Sequence, residues 1–405
     1  MVESLKFGLD EAFRLTLERT VPIETEEVDL SESVDRIVSE SLRARVDSPS
    51  VDASLKDGYA VLSGDVADAT PRTPVRLRLL GHMAAGGDEN IRVLPGGAVR
   101  VLTGARIPAG ADAVVAEEFV IVEEGIVQIR NHAEPGRNIL PKGCDVAKGR
   151  LVVDKGHRLT PGMLGILAAA GHSRLPVVRR PRVAIVATGD EVVAPGLPLP
   201  EGKLYASNMT TLSAWCRRYG MRTRLEIVRD EADAIHETLK SCMAAVDAVI
   251  TSGGAWTGDR DLVAQMLDRL GWEQVFHRIR IGPGKAVGFG LLYEKPVFIL
   301  PGGPPSNLMG FLQIALPGLM KLSGCVAPGL PRTRMRLSSD LNSGYADWTQ
   351  FVFGTIQGHN DVPVFKPLRG ESRLRSMAEA EAVVAIPEGL THLSAGSVVS
   401  AQLLT

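Results

Sequence analysis

Hydrophobic and polar residues follow different periods in different stretches of this chain, and the period predicts the element. Apolar residues recur at helical spacing over Leu9–Glu18 and Leu30–Leu42, which predicts two amphipathic helices. From about Val46 to Val146 the pattern changes to short β-type runs. Val75–Leu80, Ala98–Leu102, Ala113–Val122 and Val127–Arg130 are separated by Gly-Gly, Pro-Gly and Pro-Ala-Gly-Ala-Asp turns, which predicts a small inserted β domain. A helix follows, with Thr160 as N-cap, Pro161 in its first turn and Gly171 at its C-terminal end.

From Arg182 the rhythm becomes strand–helix–strand. Val183–Ala187, Arg224–Val228, Ala248–Thr251 and Val297–Leu300 read as apolar strands, and Val275–Ile281 as a further strand with Arg278, Arg280 and Gly282 on one face. Met209–Tyr219, Glu231–Ala245, Asp261–Leu270 and a segment from about Ser306 read as helices. Uninterrupted apolar strands alternating with helices imply a parallel sheet covered on both faces, a doubly wound α/β domain. From about Pro331 to Thr405 short strands return, which predicts a small C-terminal β domain. The expected fold class is therefore α/β and β multidomain. The expected division is residues 1–45 with 147–180 as a helical and linking part, 46–146 as the insertion, 181–328 as the α/β domain and 329–405 as the last β domain.

The length of 405 residues agrees with roughly two to four domains. A formal net charge of -2 argues against bulk nucleic-acid binding and against a polybasic membrane surface. No apolar run approaches the roughly 20 residues that cross a bilayer, so no membrane partner is expected. The start, Met1-Val-Glu-Ser-Leu-Lys-Phe, lacks the basic segment and apolar core of a secretory signal. Cys144, Cys216, Cys242 and Cys325 lie far apart with no Cys-x-x-Cys, so reduced thiols in the cytoplasm are expected, without zinc or disulfides.

In an open parallel sheet, ligands bind beyond the carboxyl ends of the strands. Three predicted strands end in loops with suitable chemistry: Thr188-Gly-Asp-Glu191, Ser252-Gly-Gly254 leading to Asp259 and Asp261, and Pro301-Gly-Gly-Pro-Pro-Ser306. A fourth loop, Gly282-Pro-Gly-Lys285, adds a cation on a glycine-rich turn but is not a Walker loop. Glycines let the backbone approach an anion, and helix N-termini aim N–H groups at it. Carboxylates at such a place repel a phosphate unless a hard cation such as magnesium lies between. A plain strand–turn–helix with acidic helix-start residues reads the Asp259–Asp261 segment without any ligand. The β insertion adds Asp57-Gly58 and Thr103, residue types that also suit an ordinary turn and a strand end.

Asp57-Gly-Tyr-Ala60, Thr103-Gly-Ala105, Gly136-Arg-Asn-Ile139 with Gly143-Cys-Asp145, Thr188-Gly-Asp-Glu191, Ser252-Gly-Gly254 with Gly258-Asp-Arg-Asp261, Pro283-Gly-Lys285 and Pro301-Gly-Gly-Pro304 occur in a set order. That order and spacing resemble the MoeA / gephyrin E-domain family, the molybdopterin molybdenumtransferases, over essentially the whole chain. The resemblance implies an elongated homodimer of four-domain subunits, with a molybdopterin-binding α/β domain and a C-terminal β-barrel. It implies a reaction in which adenylated molybdopterin and molybdate, with magnesium (Mg2+), give molybdenum cofactor and AMP.

Carried over residue by residue, the resemblance implies Asp190, Glu191, Asp230 and Asp261 around magnesium and the adenylate, with Glu191, Asp230 and Asp261 as metal ligands. Ser252, Gly253 and Gly254 would cradle phosphate, Pro301, Gly302 and Ser306 would line the same edge, and Lys285 would pair with phosphate or molybdate. Asp57, Thr103 and Asp145 would reach in from the insertion of a partner subunit, while Arg369, Ser372 and Ser376 sit in a segment resembling a Ser/Gly-rich loop of the last domain. Asp57, Thr103, Asp145, Asp261 and Lys285 are the implied catalytic set. The family commonly reads Lys-Pro-Gly-Lys-Pro where this chain has Gly282 and Ala286 at the outer positions, Asn-Ser-Ala-Met where it has Ala53-Ser-Leu-Lys56, and Pro-Gly-Asn-Pro where it has Pro301-Gly-Gly-Pro304. The usual Gly-Arg before a strand is not evident at Tyr345-Ala-Asp-Trp348. Arg280 is the expected substitute for the missing lysine. Two further readings remain beside the enzyme: a diverged carrier of molybdopterin or finished cofactor, and a gephyrin-like dimeric scaffold with a peptide docked on the last domain. Other cofactor-biosynthesis proteins and molybdoenzymes are the implied partners.

Overall fold

Four strands run parallel side by side in the order Arg222–Val228, Arg182–Thr188, Ala248–Ser252 and Lys295–Leu300, and Gly288–Leu292 and Glu273–His277 extend the sheet antiparallel. The computed structural model describes residues 5–87, 89–253, 262–358, 362–368 and 372–404. Side chains of a strand alternate between faces, and here both faces are buried. Val183, Ile185 and Ala187 pack with Leu212 and Cys216 of helix Ser207–Arg218 and with Leu308, Phe311 and Leu319 further on. Ala184 and Val186 pack on the other side with Leu239 of helix Ala232–Ala245 and Met266 of helix Leu262–Arg269. The doubly wound arrangement expected from the apolar strands is thus the one that forms. Phe276, Phe289 and Phe298 stack across neighbouring strands with centroids 5.7 and 5.2 Å apart. Each buried ring contributes roughly 2–3 kcal/mol of hydrophobic stabilisation and each pair about 1 more.

A second six-stranded sheet, running Ala113–Ala116, Gly58–Val61, Gly97–Val101, Val75–Met83, Ile126–Ile129 and Val120–Glu123, occupies the inserted region. At the C-terminal end Thr349–Gln357, Val364–Pro367, Arg332–Leu337, Val398–Leu403 and Ala382–Ile386 pair in turn, and the last returns to the first to close a barrel. Ile281–Gly282 pairs in parallel with Thr349 and Gln350, joining the barrel to the α/β part.

Three sequence expectations are corrected. Leu30–Leu42 is not a helix: only Leu30–Glu32 forms a 3-10 turn, Asp35 takes a left-handed φ of 63°, and Leu42–Arg43 is a strand pairing with Leu151–Val153. Val38, fully buried among Leu159, Leu167, Leu175 and Val177, is worth more in that cluster than as part of a surface helix. Ala113–Val122 is not one strand, because Glu117–Phe119 makes a 3-10 turn where Glu117 N–H donates to the Asp57 carbonyl. Val275–Ile281 ends as a strand at His277, because Arg278 adopts φ 68° and breaks the alternation. Arg280 therefore faces elsewhere, and its guanidinium donates to the carbonyls of Leu5, Lys6 and Asp347 and pairs with Glu388 at 3.1 Å. It ties the N-terminal segment to the barrel and does not replace a lysine at position 282.

The amino edge of the central sheet is held by one arginine. Arg179 donates to both oxygens of Asp247 at 2.9 and 2.8 Å and to Glu24 at 2.7 Å, and Asp247 also accepts from Arg182 N–H at 2.7 Å. Burial alone would raise the Asp247 pKa, but hydrogen bonds from Arg179 and from Arg182 N–H outweigh it and hold the carboxyl below its ordinary 3.8. A depressed folded pKa means that the pair stabilises the fold above that ordinary value and that the contribution is lost as pH falls through the folded value. Arg179→Ala leaves a half-buried carboxylate short of its main partner, and should cost about 2–4 kcal/mol in urea unfolding at pH 7. The deficit should shrink as pH is lowered through the Asp247 titration. A deficit that stays constant down to pH 3 would refute this account of the pair.

Candidate active site at the carboxyl edge

Parallel register sets the ends of three strands at one level, with Ala187 opposite Ser252 and Ser252 opposite Leu300. The loops that leave them surround a cavity of about 160 Å³ whose walls include Thr188, Glu191, Tyr205, Ser252, Gly253 and Gly302. Gly253 has φ +108°, and a Cβ there would fall 2.4 Å from the Thr188 carbonyl oxygen, so only glycine lets these two loops meet. A Cβ on Gly302 would lie 3.8 Å from Gly253 Cα, so the second and third loops approach backbone to backbone.

Two asparagines hold these loops. Asn307, almost fully buried, donates to Ser252 Oγ at 3.0 Å and to the Pro301 carbonyl at 2.9 Å. Asn208 donates to the Gly302 carbonyl at 2.7 Å. Both belong to the first turns of helices, Ser207–Arg218 and Pro304–Gly310, and neither helix start is capped by a side chain. At Ser207–Arg218 free first-turn N–H groups and the positive end of the helix dipole favour an anion, whereas Pro304 and Pro305 carry no N–H and leave Pro304–Gly310 to act through its dipole and the Ser306 N–H. The buried Thr188 hydroxyl has no hydrogen-bond partner among the described residues and lines the same cavity.

Carboxylates gather beside this cradle. Asp230 N–H donates to Asp190 Oδ1 at 3.3 Å, and the Glu191 carboxylate folds back over Gly189. Partial burial, then the charges of Asp190 and Glu191, push the Asp230 carboxyl above its ordinary pKa. A cation would relieve that crowding, and an all-oxygen donor set suits a hard one. Among the described residues no three Asp, Glu, His or Cys side chains converge enough to hold a metal ion. The donors fit magnesium held by one or two carboxylates and completed by phosphate oxygens, the usual mode for that ion.

Lys285 lies at the same edge, because Gly288 pairs with Ile299 and the preceding turn is thereby level with Pro301. Its ammonium stands 5.4 Å over the Trp348 ring. A Cβ at position 282 would fall 2.5 Å from Gln350 Nε2, so the Gln350 amide fills the space a side chain there would take. Asp57 accepts at 2.7 Å from both Thr103 N–H and Thr103 Oγ, which hold its carboxyl below the ordinary range. Asp145 is exposed near Cys144, with its own N–H on the Ser48 carbonyl. Among the described residues, none of these three side chains bonds to the sheet-edge loops. Ser306 is half-buried in the first turn of Pro304–Gly310, and Ser372 caps helix Arg373–Glu379 through Arg375 N–H. Gly254, Asp259, Asp261 and Arg369 lie outside the described residues.

Asn208 and Asn307 are absent from the residues expected above, and Thr188 stands there only as part of a loop. Asn307 has a legible signal: it shares a helical stripe with Gly310, Phe311 and Ile314, and a lone amide on an apolar face needs buried partners. A larger groove of about 570 Å³ between Trp215 and Met377 has mostly apolar walls and no carboxylate, so the chemistry places the site at the sheet edge.

Fold and edge together define the class: a multidomain α/β protein with an anion cradle on a doubly wound sheet and a closed barrel beyond it. Residues 7–171 match the MoeA N-terminal region (domain I and II), 184–321 a probable molybdopterin binding domain, and 334–404 the MoeA C-terminal region (domain IV). The chain is 31% identical over 403 residues to a molybdopterin molybdenumtransferase of Bacillus subtilis, covering 98% of this chain and 94% of that one. It is 31% identical over 376 residues to molybdopterin molybdenumtransferase 2 of Mycobacterium tuberculosis, covering 91% and 93%. A solved structure described as a molybdopterin biosynthesis MoeA protein from Pyrococcus horikosii matches with TM-score 0.83 at 32% identity, covering 98% and 99%. The chain belongs to the MoeA family of molybdopterin molybdenumtransferases, transferases of molybdenum cofactor biosynthesis.

If Asn307 positions the cradle, Asn307→Ala should cost about 1–3 kcal/mol by stranding the Pro301 carbonyl. Asn307→Asp should cost more, because a carboxylate has no N–H to donate to that carbonyl. Urea unfolding of the three proteins measures this, and an Asp variant as stable as the parent would remove Asn307 from that role.

Proposed function

We propose that this chain inserts molybdenum from molybdate into adenylated molybdopterin in a magnesium-dependent reaction that releases AMP. The observation that carries the reading is the Ser252–Gly253 cradle, flanked by two uncapped helix starts, with Asp190, Glu191 and Asp230 beside it. In this reading the backbone N–H groups and the Ser252 hydroxyl bind the adenylate phosphates, and Gly302 with the half-buried Ser306 completes that wall. Glu191 and Asp230, with Asp261, hold magnesium. Magnesium, when bound, offsets phosphate charge and polarises the linkage that breaks. Lys285 pairs with an approaching anion, and Asn208 and Asn307 keep the cradle in shape between turnovers.

Further parts of the reading are proposals too. Residues 1–45 with 147–180, 46–146, 181–328 and 329–405 act as four domains, and two subunits form a homodimer in the cytoplasm. Free cysteines throughout suit that compartment. Asp57, Thr103 and Asp145 close the site of the partner subunit, and the Arg369–Ser372 segment borders it from the barrel. No helix among the described residues is long and apolar enough to cross a membrane.

A second reading, a carrier that binds molybdopterin or finished cofactor without turnover, is favoured by one observation. Position 282 has no lysine, its space is filled by the neutral Gln350 amide, and Lys285 stands over Trp348. Incubation with adenylated molybdopterin, magnesium and molybdate separates the two: the enzyme releases AMP, the carrier retains the adenylate. Magnesium affinity should weaken as pH falls through the raised Asp230 titration, since the protonated acid binds no cation. Asp230→Asn should bind more weakly and lose that dependence in calorimetry. AMP release that is indifferent to magnesium would overturn the metal-assisted reading.

A site shared between subunits makes a separate prediction. Asp57→Ala and Asp261→Ala homodimers should each be inactive, and subunit exchange between them should restore one working site per heterodimer. Activity that fails to return, with exchange verified by mass, would place both aspartates in one subunit's site.

A further inference from the structure

At the opposite end of the central sheet from the cradle lies a polar cleft of about 380 Å³, lined by the arginines Arg36, Arg179, Arg180, Arg182 and Arg222 and by Glu26, Val28 and Glu32. We propose that this cleft is a second anion site, which binds a small phosphate-bearing anion carrying more than two charges.

The charges in it are unevenly satisfied. Arg36 is buried and fixed by Glu26 and by the Val178 carbonyl at 3.0 Å. Arg179 is fixed by Glu24 and Asp247. These two form a rigid wall, and their carboxylates are thereby used. Arg180, Arg182 and Arg222 remain, each exposed and without a carboxylate in salt-bridge range among the described residues. Asp247, whose charge Arg182 also faces, is already committed to Arg179 and to Arg182 N–H. Glu32 is the one remaining carboxylate on the lining.

Arg182 and Arg222 begin adjacent parallel strands and are direct register partners. Their side chains leave the same face roughly 5 Å apart, and like charges in that relation destabilise a sheet. An anion between them converts that repulsion into binding. Guanidinium forks match phosphate oxygens in pairs, and the arrangement uses arginine alone, with no lysine. The volume is within the usual range for small ligands, roughly 300–1,000 Å³. Val28 is the sole apolar side chain on the lining, so the cleft offers no surface to a base ring or to the apolar side chains of a peptide. Charge is what it recognises. Arg182 and Thr188 end the same strand, roughly 20 Å apart, so this site is distinct from the cradle.

The test is calorimetry with inorganic pyrophosphate, ADP and AMP at low salt, on the parent and on an Arg182→Ala/Arg222→Ala double variant. Both side chains are exposed, and unchanged thermal unfolding of the double variant confirms an intact fold. The parent should bind pyrophosphate, and the double variant should lose at least about tenfold in affinity at one class of site, with the loss growing smaller as salt rises. AMP, with fewer charges, should bind this class more weakly than pyrophosphate. ADP matching pyrophosphate supports recognition of the polyphosphate charge alone, and ADP binding tighter through the same arginines would overturn it, because the base would then be recognised too. Equal pyrophosphate binding by parent and double variant would overturn the proposal. So would loss of dimerisation in the double variant without loss of a pyrophosphate site, because a second copy of the chain would then cover the cleft. Tighter binding of polyglutamate than of pyrophosphate would likewise replace it with an acidic-peptide surface.

Discussion

Parallel pairing is the constraint on which the rest of this molecule depends. When strands run in one direction, every one of them releases its chain at the same edge, and the next helix must begin there. Thr188, Ser252 and Leu300 end their strands within one register step of one another. Three loops and two helix starts are therefore delivered to one place by backbone hydrogen bonding, before any side chain is chosen. An antiparallel sheet would split the same loops between two edges. The anion cradle follows from topology, and the residues on it refine the cradle.

That refinement answers a problem of charge. Helix starts and glycine-rich turns attract anions, yet Asp190, Glu191 and Asp230 crowd the same edge, and partial burial, then the charges of Asp190 and Glu191, raise the proton affinity of Asp230. Left alone, the carboxylates would cancel the cradle. In the proposed reading the conflict is resolved from outside the chain, by a cation shared with the ligand's phosphates. Stability and function pull apart at this point, as they do at sites whose groups are arranged for a bound state.

What the sequence made legible follows the same logic. Val183–Ala187 and Ala248–Thr251 announce themselves because a strand buried on both faces shows mostly apolar residues. The cradle loops are legible because Gly253 and Gly302 are needed wherever two backbones come close, and such glycines stand out after an apolar run. Leu30–Leu42 misleads because Val34 and Val38 sit at helical spacing, while Val38 is in fact a knob in a remote cluster with Leu167 and Val177. Periodicity reports which residues seek burial; it says nothing about which distant element buries them. Arg280 eludes the pattern for a related reason. One residue, Arg278 at a positive φ, turns the alternation off, and no neighbouring glycine or proline marks the turn.

Position 282 shows how far a local departure can be absorbed. A lysine there would bring its charge from the chain's own turn, and in its place Gln350 reaches across from the paired strand and lays an amide on Gly282. The exchange keeps the volume and removes the charge. Lys285 then stands as the cation of that turn, facing the Trp348 ring. A ring face attracts an ammonium by up to a few kcal/mol when water is excluded, but it has no negative charge to surrender to an incoming oxyanion. An anion entering this edge would therefore compete with the ring for Lys285, which among the described residues has no carboxylate in salt-bridge range. In the proposed reading the charge that a second lysine would have added comes from elsewhere at the edge, and the N–H groups that start Ser207–Arg218, with the dipole of Pro304–Gly310, are placed to supply part of it.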